Sequence, residues 1–90
     1  MNVRYSARAN RHIDAIHDYI AKRDPDTATR VIAHIRKTLA HLAAFPFMGR
    51  SGKVSSTRQI VISRLPFIAV YRIVDGTVVV LCIYHCAQDR

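Results

Sequence analysis

No glutamate occurs anywhere in the 90 residues; every acidic side chain is one of six aspartates. Against them stand eleven arginines and three lysines, so the formal net charge is +8. A surplus of that size attracts nucleic acid, acidic membranes or an acidic protein, and the preference for Arg over Lys favours planar, bidentate recognition of carboxylate or phosphate. The excess is spread along the chain, with eight basic against four acidic side chains in residues 1–44 and six against two in residues 45–90. No basic tail stands out.

Long apolar runs are missing as well. None approaches the ~20 residues of a membrane helix, and the N-terminus lacks a signal-peptide core, so the expectation is a cytoplasmic protein with no membrane partner. There are no internal repeats and no low-complexity segments. Ninety residues allow a single domain over 1–90 with one modest core. Cysteine is scarce: Cys82 and Cys86 lie near a strand end, where an extended chain separates them by roughly 13 Å, too far for a disulfide. His85 points to the opposite face from them, no second ligand pair exists, and His12, His17, His34 and His41 share no helix face. Neither a metal nor a cofactor is expected.

What is present is concentrated in the last third. Phe67 to His85 reads FIAVYRIVDGTVVVLCIYH, two β-branched and aromatic runs around Asp75-Gly76, the dipeptide that tolerates φ > 0 at both centres of a type I′ hairpin turn. That turn predicts Val74 opposite Thr77, Arg72 opposite Val79, Val70 opposite Leu81 and Ile68 opposite Ile83. One face then carries Phe67, Ala69, Tyr71, Ile73, Val78, Val80, Cys82 and Tyr84. The other carries Ile68, Val70, Arg72, Val79, Leu81, Ile83 and His85.

The rest of the chain supplies a cover for only one of these faces. Asn2 to Tyr5 reads as an edge strand and Ser6 as a helix N-cap. Ala9, Ile13, Ile16 and Ile20 form one stripe of a helix ending near Lys22. Asp24-Pro25 opens a second helix to about Ala44, striped by Ala28, Ile32, Ile35, Leu39 and Leu42, and the two should pack as an antiparallel helical hairpin. Phe45 to Gly52 breaks the helix, with its aromatics expected to tuck under the loop. Thr57 to Ile62 alternates as a further strand. The fold class is therefore α+β, ordered β-α-α-β-β-β, with an N-terminal edge strand and the helical hairpin packed on an antiparallel sheet. The face bearing Arg72 and His85 is left open, apolar and rimmed by cations, which calls for a partner.

These elements, with Phe45-Pro46-x-x-Gly49-Arg50, Thr57-Arg58-x-Ile60-Val61, Pro66-Phe67-x-x-x-Tyr71-Arg72 and Tyr84-His85-x-Ala87-Gln88, together resemble the RelE/ParE superfamily of bacterial toxins over nearly the whole chain. The resemblance implies the toxin of a type II toxin-antitoxin system, inhibiting growth until an acidic cognate antitoxin binds it in an oligomeric complex. It also poses a choice of target. RelE-like members cleave mRNA on the ribosome, whereas ParE-like members interfere with DNA gyrase and hydrolyse nothing themselves.

RNA cleavage needs groups that activate the 2′-hydroxyl, stabilise the phosphorane and protonate the leaving oxygen. Where RelE-like members carry an arginine after the strand-opening aromatic, this chain has Ile68, and their terminal basic cluster falls on the uncharged Cys86-Ala87-Gln88. The YoeB-like ending Tyr84-His85 is present without the glutamate that branch pairs with its histidine. The resemblance thus favours a gyrase inhibitor without catalytic residues. The alternative is a ribosome-dependent mRNA endonuclease using His85 with Arg72 or Arg58. Antitoxin contacts are expected at Ile68, Val70, Arg72, Val79, Leu81 and Ile83, and target contacts at Arg50, Arg58 and His85.

Overall fold

The computed structural model describes residues 1–88. A five-stranded mixed sheet carries two antiparallel helices on one side. The strands are β1 (Asn2–Tyr5), β2 (Arg50–Ser51), β3 (Arg58–Ile62), β4 (Phe67–Val74) and β5 (Thr77–His85), in the spatial order β1-β5-β4-β3-β2. The helices are α1 (Ala7–Ala21) and α2 (Pro25–Ala40), and α2 tightens into a 3-10 turn at His41–Ala43. β1 runs parallel to β5, and all other pairings are antiparallel.

Both helices begin where their caps predict. The Ser6 hydroxyl accepts the Ala9 N–H at 3.0 Å, and Asp24 accepts that of Thr27 at 3.1 Å ahead of Pro25. Their stripes meet the sheet in one core: Ala9 and Ile13 of α1, Ile35 and Leu39 of α2, and Leu42 pack on Ile60, Ile62, Ala69, Tyr71, Val78 and Val80. Asp75 and Gly76 take φ values of 48° and 73°, as the tight turn requires.

The hairpin register holds only part of the way. Val74 pairs with Thr77 and Arg72 with Val79, but Val70 meets Cys82 and Ile68 meets Tyr84, because the ladder shifts between Val70 and Tyr71. Leu81 is the extra residue of a β-bulge, and beyond it every side chain changes face. Ile83, expected on the open face, is instead 3% exposed within the core. Tyr84, expected against the helices, lies opposite Ile68 on the other face, its hydroxyl accepting from Gln59 Nε2 at 2.9 Å. His85 also crosses over, pairing with Phe67 and meeting its ring edge-on at 5.7 Å.

Two further corrections concern the loop after α2. Arg50 and Ser51 form a short strand against Gln59 and Arg58. Phe45 and Phe47, expected under the loop, are 62% and 67% exposed.

Candidate protein-interaction site

The face of the sheet away from the helices can be read in rows from the register. Arg4, Val79 and Arg72 form one row across β1, β5 and β4. Beyond the bulge, Cys82, Val70, Gln59 and Arg50 form the next, and Tyr84, Ile68 and Val61 the last. This surface is an apolar strip with arginines at both flanks. Val61 is exposed, Val70 and Val79 are half-buried, and Ile68 is nearly closed off at 5%.

Arg72 is the residue of greatest electrostatic interest on this face. Its Nε is buried without a hydrogen-bond partner among the described residues. A guanidinium donor in that position lacks a compensating acceptor, and a carboxylate is the acceptor that fits its fork. Burial pushes the thiol of Cys82, on the next row, above its usual range. Cys82 and Cys86 are both free thiols.

Arg58 sits on the opposite face, where β3 starts. Its Nε and Nη2 donate to Gly49 O at 3.0 and 2.7 Å, Nη2 also reaches Phe47 O at 3.2 Å, and its guanidinium stacks 5.2 Å from the Phe47 ring centre. The Tyr71 hydroxyl completes the clamp, donating to Pro46 O at 2.8 Å and accepting from Gly49 N at 3.0 Å. Gly49 is required here, since a Cβ would lie 2.5 Å from Gln59 O and 2.7 Å from the Tyr71 hydroxyl. The motif Phe45-Pro46-x-x-Gly49 is therefore a loop tied shut by Arg58 and Tyr71, while Arg50 is exposed.

His85 lies at the far end of the sheet, in an open groove of about 610 Å³ shared with Arg8, His12, Phe67 and Ile83. Its Nδ1 accepts the Ala87 N–H at 3.0 Å. His12 is the residue that sequence reasoning missed: its Nδ1 accepts the Ile83 N–H at 3.1 Å, capping β5 past the stretch that β1 covers. Burial, then the charges of Arg8 and Arg11, hold His12 below its ordinary pKa of 6.5. Arg72 stands opposite neither group. From Phe67, the partner of His85, to Arg72 is five residues along β4, about 17 Å at ~3.4 Å per residue.

Comparison with known proteins agrees with this architecture. The sequence model for the "ParE toxin of type II toxin-antitoxin system, parDE" matches residues 3–90. The chain belongs to the ParE toxin family. A relative from Sinorhizobium fredii, named "Putative toxin Y4kP", is 42% identical over 87 residues, 97% of this chain and 90% of that protein. Among solved structures, the chromosomal ParDE toxin-antitoxin system of P. aeruginosa superposes with a TM-score of 0.85 at 26% identity, over 94% of this chain and 95% of that one. The intact E. coli RelBE toxin-antitoxin complex shares the fold, with a TM-score of 0.67 at 15% identity over 99% and 98% of the two chains. This ParE-family toxin thus has an α+β RelE/ParE-like fold. Among its described residues, no helix is long and apolar enough to cross a membrane.

Proposed function

We propose that this toxin inhibits DNA gyrase, impairing supercoiling or religation without hydrolysis of its own, and that an acidic cognate antitoxin holds it inactive. Such a target implies a cytoplasmic protein. The observation that carries the reading is the dispersal of the nuclease candidates. Arg58 is spent on loop carbonyls, Arg72 lies on the other face, and His85 stands at the far end of the sheet. General acid-base chemistry on a ribose needs such groups within hydrogen-bond reach of one phosphate. Ile68, where RelE-like nucleases carry arginine, supports the same reading. Purified toxin is expected to stop gyrase supercoiling of relaxed plasmid. Full supercoiling at saturating toxin, with A-site cleavage of translated message, would replace this reading by the endonuclease.

The antitoxin is expected on the open face, with apolar side chains over Val70 and Val79 and a carboxylate on Arg72, whereas Ile68, expected from sequence as a contact, is too buried to offer much surface. Of the six contacts expected from sequence, Ile83 leaves this surface for the core and Leu81 loses its cross-strand partner to the bulge. Tyr84 and Cys82 take their places. Charge-assisted pairing at Arg72 and a net charge of +8 both suit a partner rich in carboxylates.

A further inference from the structure

The loop after α2 exposes more apolar surface than its rigidity explains. Phe45, Phe47 and Met48 are 62%, 67% and 51% exposed, and with Ala44 and Pro46 they line a notch that has no polar side chain. The backbone beneath them is tied at Pro46, Phe47 and Gly49 by Tyr71 and Arg58. A loop so anchored holds the backbone that carries these aromatics, and the Arg58 guanidinium packs on the Phe47 ring, which lowers the entropy lost when something binds there. Exposed Val54 extends the patch, sharing a second notch with Phe47.

The patch is also continuous with the open face. Met48 belongs both to the aromatic notch and to a second one lined by Gln59, Val61 and Ile68. The notch on the open-face side takes in Ile60 and Val61 of β3, beyond the two residues that β2 pairs. It therefore reaches a strand edge that β2 leaves uncovered.

Charge selects the occupant. Between Asp26 and Asp75 the sequence contains no carboxylate, while Arg30, Arg36, Lys37, Arg50, Lys53, Arg58, Arg64 and Arg72 fall within that interval. A second copy of this chain would bring cation against cation. Nucleic acid would suit the charge but not the notch, which offers phosphates no donor, and the Nε and Nη2 of Arg58 are already engaged. What fits is an acidic polypeptide with apolar anchors.

We propose that the antitoxin does not stop at the open face: the same acidic segment continues past the β3 edge and seats an apolar side chain between Phe45 and Phe47. This extends, and rests on, the antitoxin reading given above. The test is titration of wild-type toxin and the variants Phe45→Ser and Phe45→Ser/Phe47→Ser with full-length cognate antitoxin. Phe45→Ser leaves the Arg58 to Phe47 stack untouched, so loss of binding there cannot be ascribed to an unfastened loop. The expected result is a loss of about tenfold or more in affinity for each variant, with thermal midpoints within a few degrees of wild type. Wild-type binding with both variants unchanged would overturn the inference and leave the open-face reading standing. No binding by wild-type toxin would overturn both. A short duplex DNA bound by wild type and lost in the variants would reassign the patch to nucleic acid and overturn the protein occupant.

Discussion

Tyr71 shows how a single hydroxyl can hold a motif together. It is fully buried, and its oxygen serves both Pro46 O and Gly49 N. Tyr71→Phe would leave both backbone groups short of a partner, and the expected cost is about 1–3 kcal/mol in a urea titration with unchanged m-value. Arg72→Met should behave in the opposite way. Removing a buried donor that has no acceptor is expected to leave stability level or slightly higher, while antitoxin affinity falls several-fold in calorimetric titration. That combination separates a partner-binding arginine from a structural one.

His12 supplies a pH signature. Because its folded pKa lies below the unfolded 6.5, the unfolded chain takes up its proton first as pH falls. Its stabilising effect is complete above about pH 7, declines as pH drops through the unfolded value and levels off below the folded one. Protonating Nδ1 would also forfeit the bond from Ile83. Urea midpoints measured across this window should fall for wild type and flatten for His12→Gln, which keeps an acceptor. Neither His12 nor Arg58 was legible in its real role. Both act on backbone groups distant in sequence, and no local pattern marks a side chain that will meet a remote carbonyl or amide.

At the scale of elements, the helices and the hairpin turn were readable because their signals are local: Ser6 and Asp24-Pro25 as starts, stripes at spacings of three and four, Asp75-Gly76 as the turn. The bulge was not. Val78-Val79-Val80-Leu81-Cys82-Ile83 is apolar on both faces, so no alternation of polar and apolar residues records where the phase changes. The bulge carries its own fastening outside β5, since Ser6 Oγ donates to Leu81 O at 2.8 Å while accepting from Ala9 N. Ser6→Ala removes a helix cap and a bond to the bulge together, and about 1–3 kcal/mol of destabilisation is expected. Hydrogen exchange should localise the loss to the start of α1 and the Leu81 region of β5. β2 escaped notice for a simpler reason: two residues are too few for any periodicity.

For the molecule as a whole, charge and the uncovered face were legible from composition and element count, and they point to an acidic partner. Which side chains make up that face depended on the bulge, hence the exchange of Ile83 for Tyr84. Long-range attraction between a +8 toxin and the acidic antitoxin proposed above should appear mainly in the association rate. Raising salt from about 0.05 to about 0.5 M is expected to slow association by an order of magnitude or more, with a smaller change in dissociation, since the Debye length shrinks several-fold over that range. Stopped-flow measurement of the two rates checks this.

The position of β5 between β1 and β4 carries a consequence for synthesis. Among the described residues β1 pairs in the sheet with β5 alone, and the core cannot close until Val78, Val80 and Ile83 are in place. During translation the helical hairpin can form early from local contacts, but the sheet must wait for Thr77 to His85 to emerge. The sheet is therefore the last part of this toxin to form. An antitoxin already present could meet it while the central strand is still docking, ahead of any encounter with a target.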